Sequence, residues 1–297
     1  MTSMDSMPGW VVRIPASSAN LGAGFDVLGM ALGLHAEAGV GDPPGGALAV
    51  DEHHPADVAF RRAGGVGPLW MRSPIPIGRG LGFSGAARVG GAAAAAVQQS
   101  GPAALDEPAT RAEILALTSE LERHADNVAA SIYGGVVVAT ERGVVQVPLA
   151  FNPMVVVWVP NSTTTSTEHS RGRLPDTVSR ADAVFNVGRA AMFVAACANG
   201  EVAALRAATE DRLHQQLRLE QVPESAVALD AALDAGAWAA WLSGSGPTIA
   251  AICDPGRAEE IAAVLPESGH VKLLRIDHEG VVALGATGVD DDLESVD

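Results

Sequence analysis

The chain has 297 residues, 48% of them hydrophobic, and a formal net charge of −16 at pH 7 with a single lysine, Lys272. Its acidity excludes nucleic acid and anionic membrane surfaces as partners, because both require a basic binding face. A chain of this length predicts two domains. Positive charge at any anion-binding site must come from arginine, backbone N–H groups or a metal ion.

Cysteine usage and hydropathy point to the cytoplasm. Cys197 and Cys253 lie within apolar runs, which is typical of reduced core residues rather than of a disulfide framework. Residues 1–6 lack the apolar segment of a signal peptide, and no uncharged apolar stretch has the length of a membrane span. We expect a cytoplasmic protein without a membrane partner, and the sequence leaves open whether it forms a homodimer.

Short strands and helices alternate through the first half of the chain. A loop of small residues over 15–26 presents Asn20 and Asp26. Such side chains often only hydrogen-bond the backbone of a turn, so this loop alone does not define a site. In chain order, the pattern predicts strands at 10–15, 27–34 and 68–74, helices at 56–63, 86–100 and 107–133, and a hairpin over 136–148.

The stretch over 76–87 carries the strongest functional signal, with four glycines within eight residues and an alanine-rich helix start directly after them. Glycine lets a ligand approach the backbone closely. A helix N-terminus offers unpaired N–H groups and a partial positive charge, so the combination favours phosphate. The residues predicted to hold the phosphates of ATP are Pro76, Ile77, Gly78, Arg79, Gly80, Leu81, Gly82, Phe83, Ser84, Gly85 and Ala86.

Two common classes of phosphate loop do not match this stretch. Residues 80–85 satisfy G-x-G-x-x-G, but no strand ending in an acidic residue follows about 20 residues later, as a dinucleotide site requires. A Walker loop requires its own lysine, and Lys272 is far away in sequence. In a loop without lysine, Mg²⁺ can neutralise the phosphates. We expect Ser84 and Glu122 to supply oxygen ligands to Mg²⁺, with Glu120 as the alternative carboxylate.

The second half alternates strands and helices in a way that predicts a separate α/β sandwich. We place the division at 151/152, with one unit over 9–151, a second over 152–285 and an acidic disordered tail over 286–297. The predicted strands are 154–159, 238–242, 248–253 and 271–276, and the predicted helices are 177–199, 201–218, 224–235 and 258–265. The predicted inner stripe of the long helix is Val178, Ala181, Phe185, Gly188, Met192 and Ala195.

Three motifs, taken in order, resemble those of the GHMP kinases, the family of galactokinase, homoserine kinase, mevalonate kinase and phosphomevalonate kinase. Motif one is residues 15–26, and motif two is the glycine loop that begins at Pro76. Motif three is the segment Ser243-Gly244-Ser245-Gly246-Pro247-Thr248. Other segments are most similar to the homoserine kinases of that family, among them 124–129 and 213–218.

The resemblance implies both a fold and an activity. The implied fold is α+β, with an N-terminal domain like ribosomal protein S5 domain 2 and a C-terminal ferredoxin-like α/β sandwich. The implied activity is phosphorylation of a small alcohol by ATP with Mg²⁺. Homoserine is the expected substrate, because two arginine positions suit an amino acid. The product would then be O-phospho-L-homoserine, for threonine biosynthesis.

By the same resemblance, polar and charged side chains would hold the two ends of an amino-acid substrate. The amino group would lie against Asn20 and Asp26. The carboxylate would be held by Arg171 and Arg218, a pairing that suits the guanidinium fork. His124 matches a further position in the substrate pocket.

Catalysis in the family pattern would centre on Asn127, which would hydrogen-bond the attacking hydroxyl. An amide cannot take up a proton, so the rate would depend on positioning and on stabilisation of charge. We interpret the neighbouring Asp126 as structural, because adjacent side chains on a helix point about 100° apart. The residues of motif three that would support the glycine loop are Ser243, Gly244, Ser245 and Gly246.

One residue of motif two departs from the family pattern. The family loop usually has serine at the position of Phe83, and phenylalanine supplies no hydroxyl. Arg79 lies in the same loop and would add positive charge. Two alternatives to a homoserine kinase stay open: a GHMP kinase for a different small alcohol, and a related protein that binds ligand without catalysis.

Overall fold

Two antiparallel sheets flanked by helices make up this computed structural model, which describes residues 9–161 and 170–285. The tail over 286–297, for which disorder is predicted, lies outside these residues. The strands of the first part are β1 (Trp10–Ala19), β2 (Leu28–Val40), β3 (Leu48–Ala49), β4 (Leu69–Arg72), β5 (Val136–Thr140) and β6 (Gly143–Val147). The helices there are α1 (Pro55–Arg62), α2 (Phe83–Ser100), α3 (Pro108–Glu122) and α4 (Asp126–Tyr133).

The remaining elements follow from residue 154 onward. The strands are β7 (Met154–Pro160), β8 (Ala239–Leu242), β9 (Ile249–Cys253), β10 (Gly269–Leu274) and β11 (Val282–Gly285). The helices are α5 (Arg180–Asn199), α6 (Leu205–Ala208), α7 (Gln215–Leu219), α8 (Pro223–Asp234) and α9 (Ala258–Ala263). Short 3₁₀ turns lie at Pro102–Asp106, Val202–Ala204 and Pro255–Arg257.

The first sheet has the strand order β11–β1–β2–β4–β3, with β5 beside β2 and β6 beside β5. β2 is longer than predicted because it pairs with β1 along one edge and with both β5 and β4 along the other. β11, which the sequence did not predict, pairs with β1. The chain therefore returns to the first sheet after completing the second, a return that the predicted division at 151/152 does not anticipate.

The second sheet has the order β10–β7–β9–β8, and every neighbouring pair is antiparallel. With α5 between β7 and β8, and α9 between β9 and β10, this is the βαββαβ arrangement of a ferredoxin-like unit. The predicted α+β fold with a ferredoxin-like second unit is confirmed.

The two faces of β7 connect the two cores. Val155, Val157 and Val159 are buried in a core shared with β1, β2 and α2. Val156 and Trp158 belong to a second core, which α8 and α9 cover. Because side chains alternate along a strand, this one strand contributes to both cores. Burial of both faces holds the second sheet against the first unit.

The single helix predicted over 107–133 is wrong, because the chain forms α3 and α4 with a break between them. Arg123 ends α3 in the left-handed conformation, with a φ of 68°. α4 starts at Asp126, whose carboxylate accepts the backbone N–H of Asn127. The break allows His124 and Asn127, on either side of it, to line one cavity.

The helix predicted over 201–218 is also interrupted, and of this range only α6, α7 and one short 3₁₀ turn are helical. Asp211 Oδ2 accepts three backbone N–H groups, at residues 213–215. A side-chain acceptor of this kind starts a new helix. The turn between α6 and α7 therefore places residue 218 one helical turn after residue 214.

The predicted inner stripe of the long helix is wrong. α5 buries Asn186, Phe193, Ala196 and Cys197, whereas Met192 of the predicted stripe is 38% exposed. Apolar residues surround most of the helix, so spacing alone could not identify its inner face.

Among the described helices, α5 alone is long and apolar enough to cross a membrane, and 22% of its 18-residue apolar stretch is buried. Asn186 hydrogen-bonds the turn between α6 and α7, which ties α5 to the rest of the second unit.

Two helical glycines give opposite predictions for substitution by alanine. A Cβ at Gly91 in α2 would lie 1.9 Å from the carbonyl oxygen of Ala56 in α1, whereas a Cβ at Gly188 in α5 would meet nothing within 4 Å. Gly91→Ala should lower the free energy of unfolding by about 1–3 kcal/mol through overpacking. Gly188→Ala should raise it by about 0.5–1 kcal/mol through helix propensity. Urea denaturation measures both, and equal effects would contradict the close packing of α1 on α2.

Candidate active site

Three loops from distant parts of the sequence meet at one hydrogen-bonded junction. Ser243 Oγ donates to the carbonyl oxygen of Gly80 at 2.6 Å, and it lies 2.8 Å from Ser18 Oγ, which can donate to it in return. Asn20 Nδ2 donates to the carbonyl oxygen of Gly244 at 2.9 Å. These bonds hold motifs one, two and three in fixed relative positions.

Two positions of motif two require glycine. A Cβ at Gly80 would lie 2.2 Å from the carbonyl oxygen of Ser243, and a Cβ at Gly82 would lie 2.1 Å from Ser17 Oγ. Both glycines have positive φ, 77° and 71°, which residues with a side chain rarely adopt. Gly82 is also the N-cap of α2 and makes no side-chain cap, so no capping side chain competes with an anion for the first N–H groups.

Two residues of motif two contact other parts of the protein. Arg79 donates to the carbonyl oxygens of Pro160 and Asn161, which ties the loop to the end of β7. The Phe83 ring makes an edge contact with the ring of His54, with 6.0 Å between their centroids. Both Arg79 and Phe83 nevertheless line the cavity.

Motif one has an unusual backbone conformation at its two polar residues. Asn20 has a φ of 71° and Asp26 a φ of 59°. The backbone N–H of Asp26 donates to Asn20 Oδ1 at 3.1 Å, so the Asn20 amide holds the end of motif one and also reaches motif three. Backbone conformations of this kind cluster at functional sites.

Two guanidinium groups and one carboxylate lie at the same end of the cavity. Arg171 Nη1 and Nη2 are 2.6 and 2.7 Å from the two carboxylate oxygens of Asp26. The guanidinium carbons of Arg171 and Arg218 are each 5.4 Å from the centre of the Phe25 ring. The combination offers partners of both signs, as an amino-acid zwitterion requires.

The predicted catalytic side chain is held in one orientation. Asn127 Oδ1 accepts a hydrogen bond from Ser17 Oγ at 2.9 Å. The backbone N–H of Asn127 donates to Asp126 at 2.7 Å, and the same carboxylate oxygen lies 2.9 Å from His124 Nδ1. Asp126 is buried and lines the cavity. The residue interpreted from the sequence as structural therefore orients both of its neighbours in the site.

His124 lies among acidic groups. Its Nδ1 is 2.9 Å from Asp126, and its Nε2 is 3.9 Å from Glu122. Burial lowers the pKa of His124, but the hydrogen bond and charge of Asp126, together with the charges of Glu122 and Asp26, outweigh burial and raise it above the usual value. His124 therefore keeps a positive charge to a higher pH than an exposed histidine.

The predicted magnesium ligands, Ser84 and Glu122, come together beside the start of α2. The Arg88 guanidinium donates to both the Ser84 hydroxyl and the Glu122 carboxylate. Glu120 instead is exposed and pairs with Arg62 at 2.8 Å. A hydroxyl and a carboxylate are oxygen donors that suit Mg²⁺ bound mainly through substrate phosphates. Within the described ranges, no group of three His, Cys, Asp or Glu side chains could hold a metal by itself.

Most of the predicted site residues line one cavity of about 180 Å³. They are Asn20, Asp26, Pro76, Ile77, Gly78, Arg79, Gly80, Gly82, Phe83, Ser84, Gly85, Glu122, His124, Asn127, Arg171, Arg218, Gly244 and Ser245. Leu81 and Ala86 are fully buried and anchor the loop in the core. Ser243 belongs to the junction behind the cavity, and its carbonyl oxygen accepts the N–H of Gly246 at 2.8 Å.

Sequence reasoning missed three side chains that shape the site. Ser17 orients Asn127, although its place in motif one was a usable signal. Arg88 lies four residues after Ser84, a spacing that puts both on one face of a helix. His214 belongs to a segment noted only for its resemblance to homoserine kinases.

The comparisons with known proteins agree with the class of protein that this cavity and fold define, a small-molecule kinase of the GHMP type. Residues 47–135 match the model for the GHMP kinases N terminal domain, and residues 192–271 match the model for GHMP kinases C terminal. The fold is similar to that of a homoserine kinase from Cytophaga hutchinsonii, with a TM-score of 0.80 and 24% identity over 96% of this chain and 100% of that one.

Full-length relatives give the particular family. The chain is 36% identical to a homoserine kinase of Desulfitobacterium hafniense in a comparison that covers 92% of this chain and 99% of that protein. It is 39% identical to a homoserine kinase of Moorella thermoacetica in a comparison that covers 82% of this chain and 87% of that protein. The chain belongs to the homoserine kinase family of the GHMP kinases.

Removing the Asp126 carboxylate should lower the pKa of His124. In Asp126→Asn, burial remains while a hydrogen bond and a negative charge are lost, so the pKa should fall toward or below its ordinary value of about 6.5. In the unsubstituted protein, the raised pKa stabilises the fold below about pH 6.5, and this stabilisation is lost as the pH rises through the raised value. NMR titration of the ring protons measures the pKa. Glu120→Gln is the control, and an unchanged pKa in Asp126→Asn would contradict the assignment.

Proposed function

We propose that this chain is an ATP-dependent kinase that phosphorylates the side-chain hydroxyl of L-homoserine. The observation that carries the proposal is one cavity with a glycine-rich helix N-terminus at one end and the charges of Asp26, Arg171 and Arg218 at the other. Its relatives are named as homoserine kinases. Because a fold alone does not fix the substrate, the charges at the acceptor end are the support that is specific to an amino acid.

ATP would be the phosphoryl donor, with its phosphates on motif two. Residues 78–86 provide backbone N–H groups and the positive end of the α2 dipole. Ser84 and Glu122 would hold Mg²⁺, which neutralises charge on the phosphates. Arg88 contacts both side chains, so it fixes the position of their oxygen atoms before the nucleotide binds.

When the amino acid binds, the ion pair between Asp26 and Arg171 would be replaced by ion pairs between the protein and the two charged groups of the substrate. Asp26 and Arg171 pair with each other at 2.6 Å. A zwitterion would bring its ammonium to Asp26 and its carboxylate to Arg171 and Arg218, so each charge keeps a partner. A ligand with only one of the two charges would leave a protein charge unpaired, which favours amino acids over simple alcohols.

Phosphoryl transfer would depend on holding the hydroxyl in line with the γ-phosphate. The hydroxyl oxygen forms a bond to the γ-phosphorus, the bond from that phosphorus to the bridging oxygen breaks, and ADP leaves. Asn127 would hydrogen-bond the hydroxyl, since Ser17 fixes the orientation of its amide. An amide cannot accept the proton, which would pass to a phosphate oxygen or to solvent.

The proposal includes the product of the reaction and the location of the enzyme. The product would be O-phospho-L-homoserine, an intermediate for threonine biosynthesis, and we expect the enzyme in the cytoplasm. Whether the chain forms a homodimer stays open.

A second candidate function rests on Phe83. Its ring stands where the family loop usually has a hydroxyl, and it contacts His54. A protein that binds nucleotide and amino acid without transferring the phosphoryl group would keep every other feature of the cavity. Turnover distinguishes this candidate from a kinase.

The proposed function is tested by the products that the purified chain forms from Mg²⁺, ATP and L-homoserine. We expect equal amounts of ADP and O-phospho-L-homoserine, identified by phosphorus NMR and mass spectrometry. L-2-aminobutyrate, which lacks the hydroxyl, is the control and should give no ADP. ADP formed with another alcohol but not with L-homoserine would favour a kinase of different specificity.

The same sample distinguishes a non-catalytic protein by thermal unfolding. A rise in melting temperature with ATP but no ADP formation would favour ligand binding without catalysis, because a ligand of the native state raises its stability. If the sample forms no ADP and its melting temperature does not rise with ATP, both kinase interpretations are contradicted.

A matched pair of substitutions on α3 tests the magnesium assignment. Glu122→Gln should raise the Mg²⁺ concentration for half-maximal activity by about tenfold or more, because a carboxylate ligand is lost. Glu120→Gln should change it by less than about twofold, because an exposed ion pair contributes little. Mn²⁺ binding in the presence of ADP, followed by EPR, is a readout independent of turnover. A larger effect from Glu120→Gln would reverse the assignment.

A further inference from the structure

His214 is a buried histidine that the proposed reaction does not use. It is 1% exposed and immediately precedes α7, whose last turn carries Arg218. Its ring lies between motif one of the first unit and the arginine of the second. The two ring nitrogens contact different partners, and these contacts determine what the ring can do.

The partners of His214 fix its protonation. Nε2 lies 2.9 Å from the carbonyl oxygen of Gly22, which can only accept, so Nε2 carries a proton. Nδ1 lies 3.2 Å from Arg218 Nη1, which can only donate, so Nδ1 is an acceptor. Together the two contacts assign a neutral imidazole with its proton on Nε2.

The environment of His214 agrees with a neutral ring. Burial lowers its pKa, the charge of Asp211 opposes this effect, and the charge of Arg218 adds to it, so that the net shift is downward. Asp211 Oδ1 is 3.7 Å from His214 Nε2, and Asp211 Oδ2 accepts the backbone N–H of His214 at 2.8 Å. The ring is therefore fixed in position as well as in protonation.

His214 and a backbone carbonyl hold one end of the Arg218 guanidinium. Arg218 Nη1 donates to the carbonyl oxygen of Gly244 at 3.1 Å in addition to its contact with His214. Arg218 Nε is buried and has no hydrogen-bond partner in the described part of the chain. Since Nη1 is engaged and Nε is enclosed by the protein, the guanidinium is held in one orientation at the cavity that Arg218 lines.

The ring of Phe25 connects His214 to the second arginine. Phe25 stacks on His214 with 4.9 Å between centroids and 25° between planes. On the same ring, the guanidinium carbons of Arg171 and Arg218 each lie 5.4 Å from the centre, within the range of cation–π attraction. The position of the imidazole therefore influences both groups at the acceptor end.

We propose that His214 is a positioning residue for the amino-acid substrate, because it holds the Arg218 guanidinium in the orientation in which it would meet the substrate carboxylate. This inference rests on the proposed role of Arg218 in binding that carboxylate. His214 would act through Arg218 on the binding of the acceptor, while nucleotide binding and phosphoryl transfer depend on other residues.

Two substitutions at residue 214 separate its two contacts. His214→Gln can keep a donor toward Gly22 but loses the acceptor toward Arg218. His214→Asn can keep that acceptor but loses the donor. We expect His214→Gln to raise the KM for L-homoserine by about tenfold or more, as for a lost hydrogen bond to a charged group, with kcat and the KM for ATP within about twofold. His214→Asn should restore most of the affinity, and Gln216→Ala, an exposed change on α7, is the control.

Coupling to Arg218 distinguishes positioning from a general loss of structure. In an Arg218→Ala background, His214→Gln should raise the KM for L-homoserine no further, because the arginine through which it acts is gone. Additive effects, equal changes in the KM for ATP, or unchanged constants in His214→Gln alone would each overturn the proposal. Urea denaturation of every variant checks that the compared proteins are folded.

A spectroscopic readout tests the assignment without any substrate. Nitrogen-15 NMR of the eight histidines, with His214 identified by its loss in His214→Gln, should show a neutral ring protonated at Nε2 at neutral pH. Arg218→Ala should shift the Nδ1 resonance. A charged ring, or a proton on Nδ1, would overturn the proposal even if L-homoserine is phosphorylated. Failure to phosphorylate L-homoserine with the expected ring state would instead count against the proposed function.

Discussion

The hydrogen bond from Ser243 Oγ to the carbonyl oxygen of Gly80 is the contact on which the rest of the site depends. It joins the loop after β8 in the second sheet to the loop before α2 on the first. Ser18 continues the network into motif one and also accepts from Trp241 Nε1 at 2.9 Å. Ser18 and Ser243 are fully buried, so losing either partner would leave a polar atom unsatisfied in the core. Two sheets and three loops therefore keep one geometry.

Within an acidic chain, the charges at this junction are organised by arginine. Arg88 contacts Ser84 and Glu122 at the end of the cavity proposed for the phosphates, and Arg171 and Arg218 lie at the end proposed for the acceptor. Guanidinium groups do not lose their protons in proteins, so these positive charges are constant across the physiological pH range. Short contacts to backbone carbonyls, carboxylates and aromatic rings fix their directions. The cavity can therefore attract two anionic groups although the protein as a whole is negative.

Much of the candidate site could be predicted because its residues lie in short motifs: the glycine loop follows from its own residues, and the other positions follow from the resemblance to the GHMP kinases. The break at Arg123 could not, since a left-handed arginine has no sequence signature, and the stripe of α5 failed because most of that helix is apolar. β11 is four residues long and is defined by its pairing with β1 at the other end of the chain. The role of His214 depends on Gly22, which is 192 residues away in sequence. Contacts between distant segments are the part that a single sequence does not contain.

The central claim is that one cavity brings a nucleoside triphosphate and an amino acid together on the Ser243 junction. A crystal structure of the chain with L-homoserine, Mg²⁺ and a non-hydrolysable ATP analogue tests it most directly. The expected structure has the triphosphate on the backbone N–H groups of residues 78–86, the homoserine carboxylate between Arg171 and Arg218, and its hydroxyl within hydrogen-bonding distance of Asn127. A triphosphate bound elsewhere, or a carboxylate that contacts neither arginine, would contradict the claim.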